Sequence, residues 1–388
     1  MTRSGCDCVV VGASFAGLAS AYALASGGLK VTVLEKKCDV GEKLHTTGII
    51  VKDAIDQIAL LDALPAALVR RIPGVRLYAP NLTYVDLAAP GYYFLATDTP
   101  GVMRWLCAQA KCAGARVALG STFHHVTRLQ SGFDLGEHGT TRYLIGADGP
   151  RSHVARALAL GTSRRYLVGV EHEYPGLQIG EPDKLHCFVD RRIAPGYIGW
   201  VLAGVGGVQA GLARRRTGAA WKPRDAMAAF LEKIAPAIDL RDATPTGVRA
   251  GLIPCGGVVS PVGASRALLV GDAAGMVSPV TAGGIHTALK HGLAAGNAVA
   301  DFLHGKAGDP STTFVRSYPS FRSKKVLRFI FDHFQSDAAF NLLLATRGMR
   351  AAASLVYFHH KSVFDPLPGE RSTAASESQR LLVETPDA

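Results

Sequence analysis

Gly12, Ser14 and Gly17 stand at the three small-residue places of a G-x-G-x-x-G run, and Glu35 closes the next apolar stretch. Small residues at that spacing suit one task. The first permits a tight turn out of a strand. The second lets backbone, here Ala13 to Ala16, approach a pyrophosphate, and the third lets a helix pack close to the strand it leaves. Free N–H groups of the helix start then face the phosphates. A carboxylate at Glu35 can accept from both hydroxyls of a ribose.

Two later clusters place an acid where a strand ends. In YLIGADGPRSHVARAL (143–158) it is Asp148, followed by a glycine, a proline and a basic helix. In RALLVGDAAGMVSPVTAGGIHTALKHG (266–292) it is Asp272 after Gly271, and Gly283, Gly284 and Ile285 then open a helix. An acid so placed can bond a ribityl or ribose hydroxyl, and a glycine-rich helix start can meet a pyrophosphate or an electron-rich ring edge. Taken singly, each is also what an ordinary loop turn looks like.

The elements that must hold these residues are readable around them. CDCVVVGA is a short β-rich run, SFAGLASAYALAS reads as a helix stopped by GG, and LKVTVLEKK is a second strand. This β-α-β unit accounts for the uncharged run 8–29. A secretion signal would need a basic leader, and here Arg3 is set against Asp7; a membrane span has no use for the glycine spacing. A second uncharged run, IAPGYIGWVLAGVGGVQAGLA (193–213), predicts two strands about a glycine turn.

Composition narrows the function. The 388 residues carry 48% hydrophobic and 19% charged side chains, which fits a folded globular chain of two or three domains or one large composite. The net charge of +11 suits anionic cofactors or lipids. No RNA- or DNA-binding motif accompanies it, so nucleic acid is not expected as a partner. Seven scattered cysteines without a CxxC predict reduced thiols and a cytoplasmic protein, and the thirteen histidines show no zinc-ligand spacing, so no metal is expected.

Together and in this order, the three fingerprints resemble those of the FAD-dependent monooxygenases of the p-hydroxybenzoate hydroxylase type, a fold that the geranylgeranyl reductases share. The resemblance covers about residues 6–300. It implies an α/β architecture: a Rossmann-like FAD-binding domain of the glutathione reductase type, an inserted antiparallel-sheet substrate domain and a C-terminal helical segment. The FAD-binding parts fall at 1–75, 96–165 and 262–305, the substrate sheet at 76–95 and 166–261, the helical segment at 306–365, and a poorly ordered tail at 366–388.

Three stretches resemble the reductase branch in particular: the GDAAG…GGI segment, the flavin-adjacent loop VGEKLHTTGIIVKD (40–53), and APGYIGWVL (194–202), similar to a substrate-cavity motif. There are departures. Thr46 takes the place of a frequent cysteine, Tyr197 falls one position early, and Thr99 stands where an arginine is common, leaving Arg104 as its substitute. They point to an altered substrate with the flavin kept. The resemblance implies FAD contacts from Gly12, Ala13, Ser14, Ala16, Gly17, Glu35, Lys36, Thr46, Thr47, Arg104, Asp148, Gly271, Asp272, Gly283, Gly284 and Ile285. It implies a substrate wall from Tyr197 and Trp200. His45 and Thr46 are the catalytic candidates, His45 as proton donor or as a plain surface-loop histidine.

The expected function is reduction of carbon–carbon double bonds in an apolar isoprenoid or lipid-like substrate by hydride from reduced flavin. NAD(P)H or another external reductant or electron-donor partner would act transiently, since no second dinucleotide fingerprint occurs. A flavin monooxygenase acting on an aromatic or polyketide-like substrate is the first alternative, and an electron-transfer flavoprotein the second. Near the C-terminus, Leu327, Ile330, Phe331 and Phe334 recur at helical spacing beside Lys324, Lys325 and Arg328. Such a face ordinarily packs on its own protein; the other outcome is peripheral contact with a membrane. Arg214-Arg215-Arg216 reads as a solvated edge.

Overall fold

The computed structural model describes residues 5–216 and 222–358. The predicted tail at 366–388 lies outside the described residues. The opening β-α-β unit forms as expected. Strand Cys6–Val11 is rich in β-branched residues and sits inside a mainly parallel sheet in the order Gly263–Ala264, Ala267–Leu269, Thr140–Gly146, Cys6–Val11, Val31–Leu34 and Arg116–Ala118. A strand covered on both faces needs no polar alternation, which is why this stretch carries so little charge. Helix Phe15–Ser26 leaves the first strand through Gly12.

That helix is crossed by the long helix Ile285–Leu303 at a distance only small residues allow. A Cβ on Gly292 would come within 2.5 Å of the Ala16 carbonyl oxygen, and one on Gly296 within 2.5 Å of that of Ser20. Ser20 Oγ donates to Ala16 O and lies 2.9 Å from Gly292 O, closing the seam with a polar tie. Gly271 also comes close to the first fingerprint, since a Cβ on it would lie 2.8 Å from the Ala16 Cβ.

A seven-stranded sheet forms the second layer, in the order Gly247–Pro254, Tyr166–Pro175, Gly207–Arg215, Gly199–Ala203, Lys184–Phe188, Gly74–Tyr78 and Tyr84–Ala88. All its pairings are antiparallel except Lys184–Phe188 with Gly74–Tyr78. The glycine turn predicted within 193–213 joins two of these strands. A three-stranded sheet, Ile49–Val51, Phe94–Thr97 and Val69–Ile72, lies apart from both and holds residues 94 and 95, which the sequence reading places in the substrate sheet.

The C-terminal segment is helical as expected, over Arg322–Phe334, Asp337–Leu343 and Arg347–Phe358. Its first helix is turned the other way from the ordinary expectation. Val326, Leu327, Phe329 and Ile330 are 61%, 43%, 53% and 48% exposed, whereas Arg328 is 6% exposed. The Phe334 side chain lies outside the described set. Polar residues face the protein because they have partners there. Asp332 accepts from Arg328 Nη2 at 2.6 Å, and its carbonyl accepts from Arg215 Nη2 at 2.6 Å. Gln335 Oε1 accepts from the Gly196 amide at 2.8 Å. Arg215 is therefore a tie between sheet and helix, not part of a solvated edge.

Candidate functional site

At the first fingerprint, backbone and side chains form a cradle. Gly12 has φ +101°, and a Cβ there would meet Ala147 O at 2.5 Å, so the turn accepts glycine alone. A Cβ on Gly17 would lie 2.0 Å from Gly12 O. Ser14, in the middle place, caps the helix: its hydroxyl accepts from Gly17 N at 3.2 Å and donates to Ala147 O at 3.0 Å. The amides of Phe15 and Ala16, one turn into the helix, have no acceptor within it. Glu35 is buried, its Oε2 accepting from Ala13 N at 2.8 Å and its Oε1 from Lys37 N at 3.0 Å. The carboxylate therefore braces the glycine turn itself. Lys36 beside it is exposed.

The later fingerprints divide. Asp148 caps the helix His153–Ala157, accepting from Ser152 Oγ at 2.5 Å, His153 N at 2.5 Å and Val154 N at 3.2 Å. Asp272 is different. Burial pushes its carboxyl up to about 6, and among the described residues its side chain has no hydrogen-bond partner. A half-buried acid left without donors fits a ligand that brings hydroxyls, as the sugar chain of FAD does. Gly271 precedes it in the turn Gly271–Ala274, and at the start of the long helix, where Gly283, Gly284 and Ile285 follow one another, a Cβ on Gly284 would lie 3.6 Å from Asp272 Oδ1. The residues present thus fit FAD. Arg104 lies apart from this group, paired with Asp39 Oδ2 at 2.5 Å on the surface.

The flavin-adjacent loop is fastened from several sides. His45 is exposed, and its Nδ1 lies 2.7 Å from Ala250 O, to which it donates. Thr46 Oγ1 accepts from Gly48 N at 3.3 Å, and Thr46 O accepts from Arg249 Nη1 at 2.7 Å. Thr99 Oγ1 donates to Thr47 O at 3.2 Å, and Thr97 Oγ1 to Gly48 O at 2.7 Å. Thr99, standing in the usual arginine place, serves as a loop clamp.

One row of the seven-stranded sheet explains how the substrate side meets this loop. Strand register sets Arg249, Glu171, Gly211 and Trp200 side by side on four neighbouring strands. Gly211 has no side chain, and a Cβ there would lie 2.5 Å from Trp200 Cζ2. The indole fills that gap and donates from Nε1 to Glu171 Oε2 at 2.9 Å. The same oxygen lies 2.5 Å from Thr47 Oγ1. Arg249 pairs with Glu173, two residues on, and its Nη1 is 3.8 Å from Glu171 Oε1. One guanidinium thus serves two carboxyls, and burial raises the Glu171 carboxyl above its ordinary range. A second tie runs from Tyr197, whose hydroxyl donates to Thr281 O ahead of the Gly283-Gly284 turn. Burial holds the Tyr197 phenol well above its usual range. Tyr197 thus reaches the loop ahead of Gly283 directly, and Trp200 is linked to the flavin-adjacent loop through Glu171.

Sequence reasoning missed Glu171, Glu173, Arg249 and Gly211. The signal available was two acids two apart, on one face of an otherwise apolar strand, VGVEHEY (168–174).

Comparison with known proteins matches residues 5–326 to a family model described as FAD binding domain. The digeranylgeranylglycerophospholipid reductase 2 of Methanopyrus kandleri is 31% identical over 333 residues, covering 80% of this chain and 81% of that protein. A geranylgeranyl bacteriochlorophyll reductase-like protein from Thermoplasma acidophilum superposes with a TM-score of 0.78 at 18% identity, over 92% of this chain and 97% of that one. A myxobacterial chondrochloren halogenase superposes with a TM-score of 0.69 at 17% identity, over 91% and 89% of the two chains. These two solved structures share the fold. One is named for a reductase and the other for a halogenase.

Proposed function

From the premise that the chain belongs to the FAD-binding-domain family and, within it, to the geranylgeranyl reductases, we propose that it saturates carbon–carbon double bonds of an isoprenoid glycerophospholipid or a similar polyprenyl lipid. It is an FAD-dependent oxidoreductase, and FAD once reduced supplies the hydride. The observation that supports this reading is a pair of ties, Tyr197 to Thr281 O and Trp200 by way of Glu171 to the Thr47 hydroxyl, from which these two side chains would wall an apolar substrate. Gly12, Ser14 and Gly17 receive the pyrophosphate, Glu35 braces their turn, and Asp272 accepts from the sugar chain. Thr46 and Thr47, on the flavin-adjacent loop, would offer backbone and hydroxyl groups to the ring. NAD(P)H or another external two-electron donor reduces the flavin in a transient encounter.

The test is anaerobic. The flavoprotein is reduced with dithionite, freed of excess, and mixed with a geranylgeranyl-bearing lipid. Reoxidation of the flavin with a gain of two hydrogens per double bond supports the reductase. A flavin that stays reduced until oxygen enters overturns it in favour of a monooxygenase.

The outward apolar face of helix Arg322–Phe334 belongs to the same proposal. Val326, Leu327, Phe329 and Ile330 are presented beside Arg322, Lys324 and Lys325, the pattern of a helix lying in the surface of an anionic bilayer. Among the described residues no helix is long and apolar enough to cross a membrane. Sedimentation with anionic vesicles should carry the protein down, and the double substitution Leu327→Asp with Ile330→Asp should reduce the bound fraction at least about tenfold. Equal binding by both proteins removes the membrane role.

A further inference from the structure

Saturating an isolated double bond needs a proton as well as a hydride, and the reading above leaves its source open. His45 is a poor source. It is exposed, and its Nδ1 is spent on the Ala250 carbonyl. Glu171 has the opposite character. Its carboxyl is buried in the interior of the sheet, and its Oε1 has no hydrogen-bond partner among the described residues. Its Oε2 meets two groups, the Trp200 indole N–H at 2.9 Å and the Thr47 hydroxyl at 2.5 Å.

We propose that Glu171 and Thr47 are the proton-delivery pair of this site, Glu171 storing the proton and the Thr47 hydroxyl handing it to the substrate. The proposal rests on the reductase reading and supplies its acid.

Geometry argues for storage at Glu171. Four groups face the carboxyl: Thr47 from the loop, Trp200 and Arg249 from strands in the same sheet row, and Glu173 from its own strand. Arg249 alone is cationic, and it lies closer to Glu173 than to Glu171. A second negative charge in this interior would go uncompensated, so a proton on Glu171 relieves it. The raised affinity for a proton that burial gives this carboxyl agrees. Trp200 can only donate, so the contact in which Glu171 can give a proton is the one with Thr47.

Delivery follows from exposure. Glu171 has no path to solvent or substrate of its own, whereas Thr47 is half-buried on the flavin-adjacent loop. As the alkene π electrons form a C–H bond with the Thr47 proton, the Glu171 proton moves to Thr47 Oγ1. The neighbouring carbon takes hydride from reduced FAD, the two-electron reductant. Glu171 is left as a carboxylate beside Arg249 and regains a proton from solvent by way of the Thr47 hydroxyl. The alkene gains two hydrogens and the flavin is oxidised, so electrons and atoms balance.

Three measurements test the pair. The infrared spectrum of the oxidised flavoprotein near neutral pH should carry a carboxylic C=O stretch that survives Asp272→Asn and vanishes in Glu171→Gln. Its absence, or its persistence in Glu171→Gln, overturns the storage role whatever the substrate proves to be. Alkene-dependent reoxidation of the reduced flavin should slow about 10²–10⁴-fold in Glu171→Gln. FAD affinity should stay within about threefold, because the amide oxygen can still accept from Trp200 and the amide NH2 can donate to Thr47 where the acid proton stood. The wild-type rate should fall as pH rises through the Glu171 ionisation, a limb that Glu171→Gln lacks. Thr47→Val should be as slow as Glu171→Gln, and Thr47→Ser should keep most of the rate. Thr47→Val turning over like wild type overturns the delivery role even if Glu171→Gln folds poorly. A wild type that reduces no alkene defeats the reductase reading and delivery with it, while the infrared result still decides storage.

Discussion

Two acids, Glu35 in the parallel sheet and Glu171 in the seven-stranded one, are buried in contrasting ways. Glu35 rests both oxygens on backbone amides, one within the glycine turn and one two residues beyond itself. Glu171 shares its row with a guanidinium, an indole and a threonine hydroxyl, contributed by three other stretches of the chain. The first arrangement satisfies both oxygens with fixed backbone donors. The second leaves the charge partly uncompensated, so the group can exchange a proton. A cofactor grip needs the former, and a site that moves protons needs the latter.

Substitutions at one glycine from each region should separate the two. Gly17→Val gives the largest effect. Its new Cβ would sit 2.0 Å from Gly12 O, where nothing can yield but the turn itself. FAD retention should fall by more than about a hundredfold, read by flavin absorbance after gel filtration. Gly211→Val should leave the flavin in place and lower alkene reduction about tenfold or more, because the added side chain displaces the Trp200 indole from Glu171. Loss of flavin from Gly211→Val would show that the two regions are not separable.

The smallest expected effect concerns Asp272. Burial raises this carboxyl from an ordinary 3.8 to about 6, so the folded chain holds its proton more tightly than the unfolded chain. The stability due to that proton is complete below about pH 4 and is lost as pH rises through about 6, a change of about 1–3 kcal/mol. Asp272→Asn should remove this slope from urea unfolding of the flavin-free protein. A slope unchanged in the variant would assign it to another group.

The cofactor half was legible in the chain because its chemistry is local. Cys6–Val11, Phe15–Ser26 and Val31–Leu34 follow one another, and the spacing of Gly12, Ser14 and Gly17 is a backbone requirement that only small residues meet. Even there the structure added a role. Glu35, expected to face a ribose, also holds the Ala13 amide. Asp148 and Arg104 have partners that no motif announced, a helix start and the Asp39 carboxylate.

The C-terminal helix shows the same limit from the other side. A periodic apolar face says that one side differs from the other. Which side turns inward depends on partners elsewhere, here Arg215 and the Gly196 amide, which draw Asp332 and Gln335 toward the protein.

By itself, then, the sequence determined the nucleotide-binding β-α-β unit, the glycine turns and the kind of cofactor, because each depends on residues within a few turns of one another. The row Arg249–Glu171–Gly211–Trp200 and its contact with Thr47 were decided by tertiary structure alone. Four strands and a loop must find their register before those groups meet, and no spacing along the chain records which residues will be neighbours across a sheet.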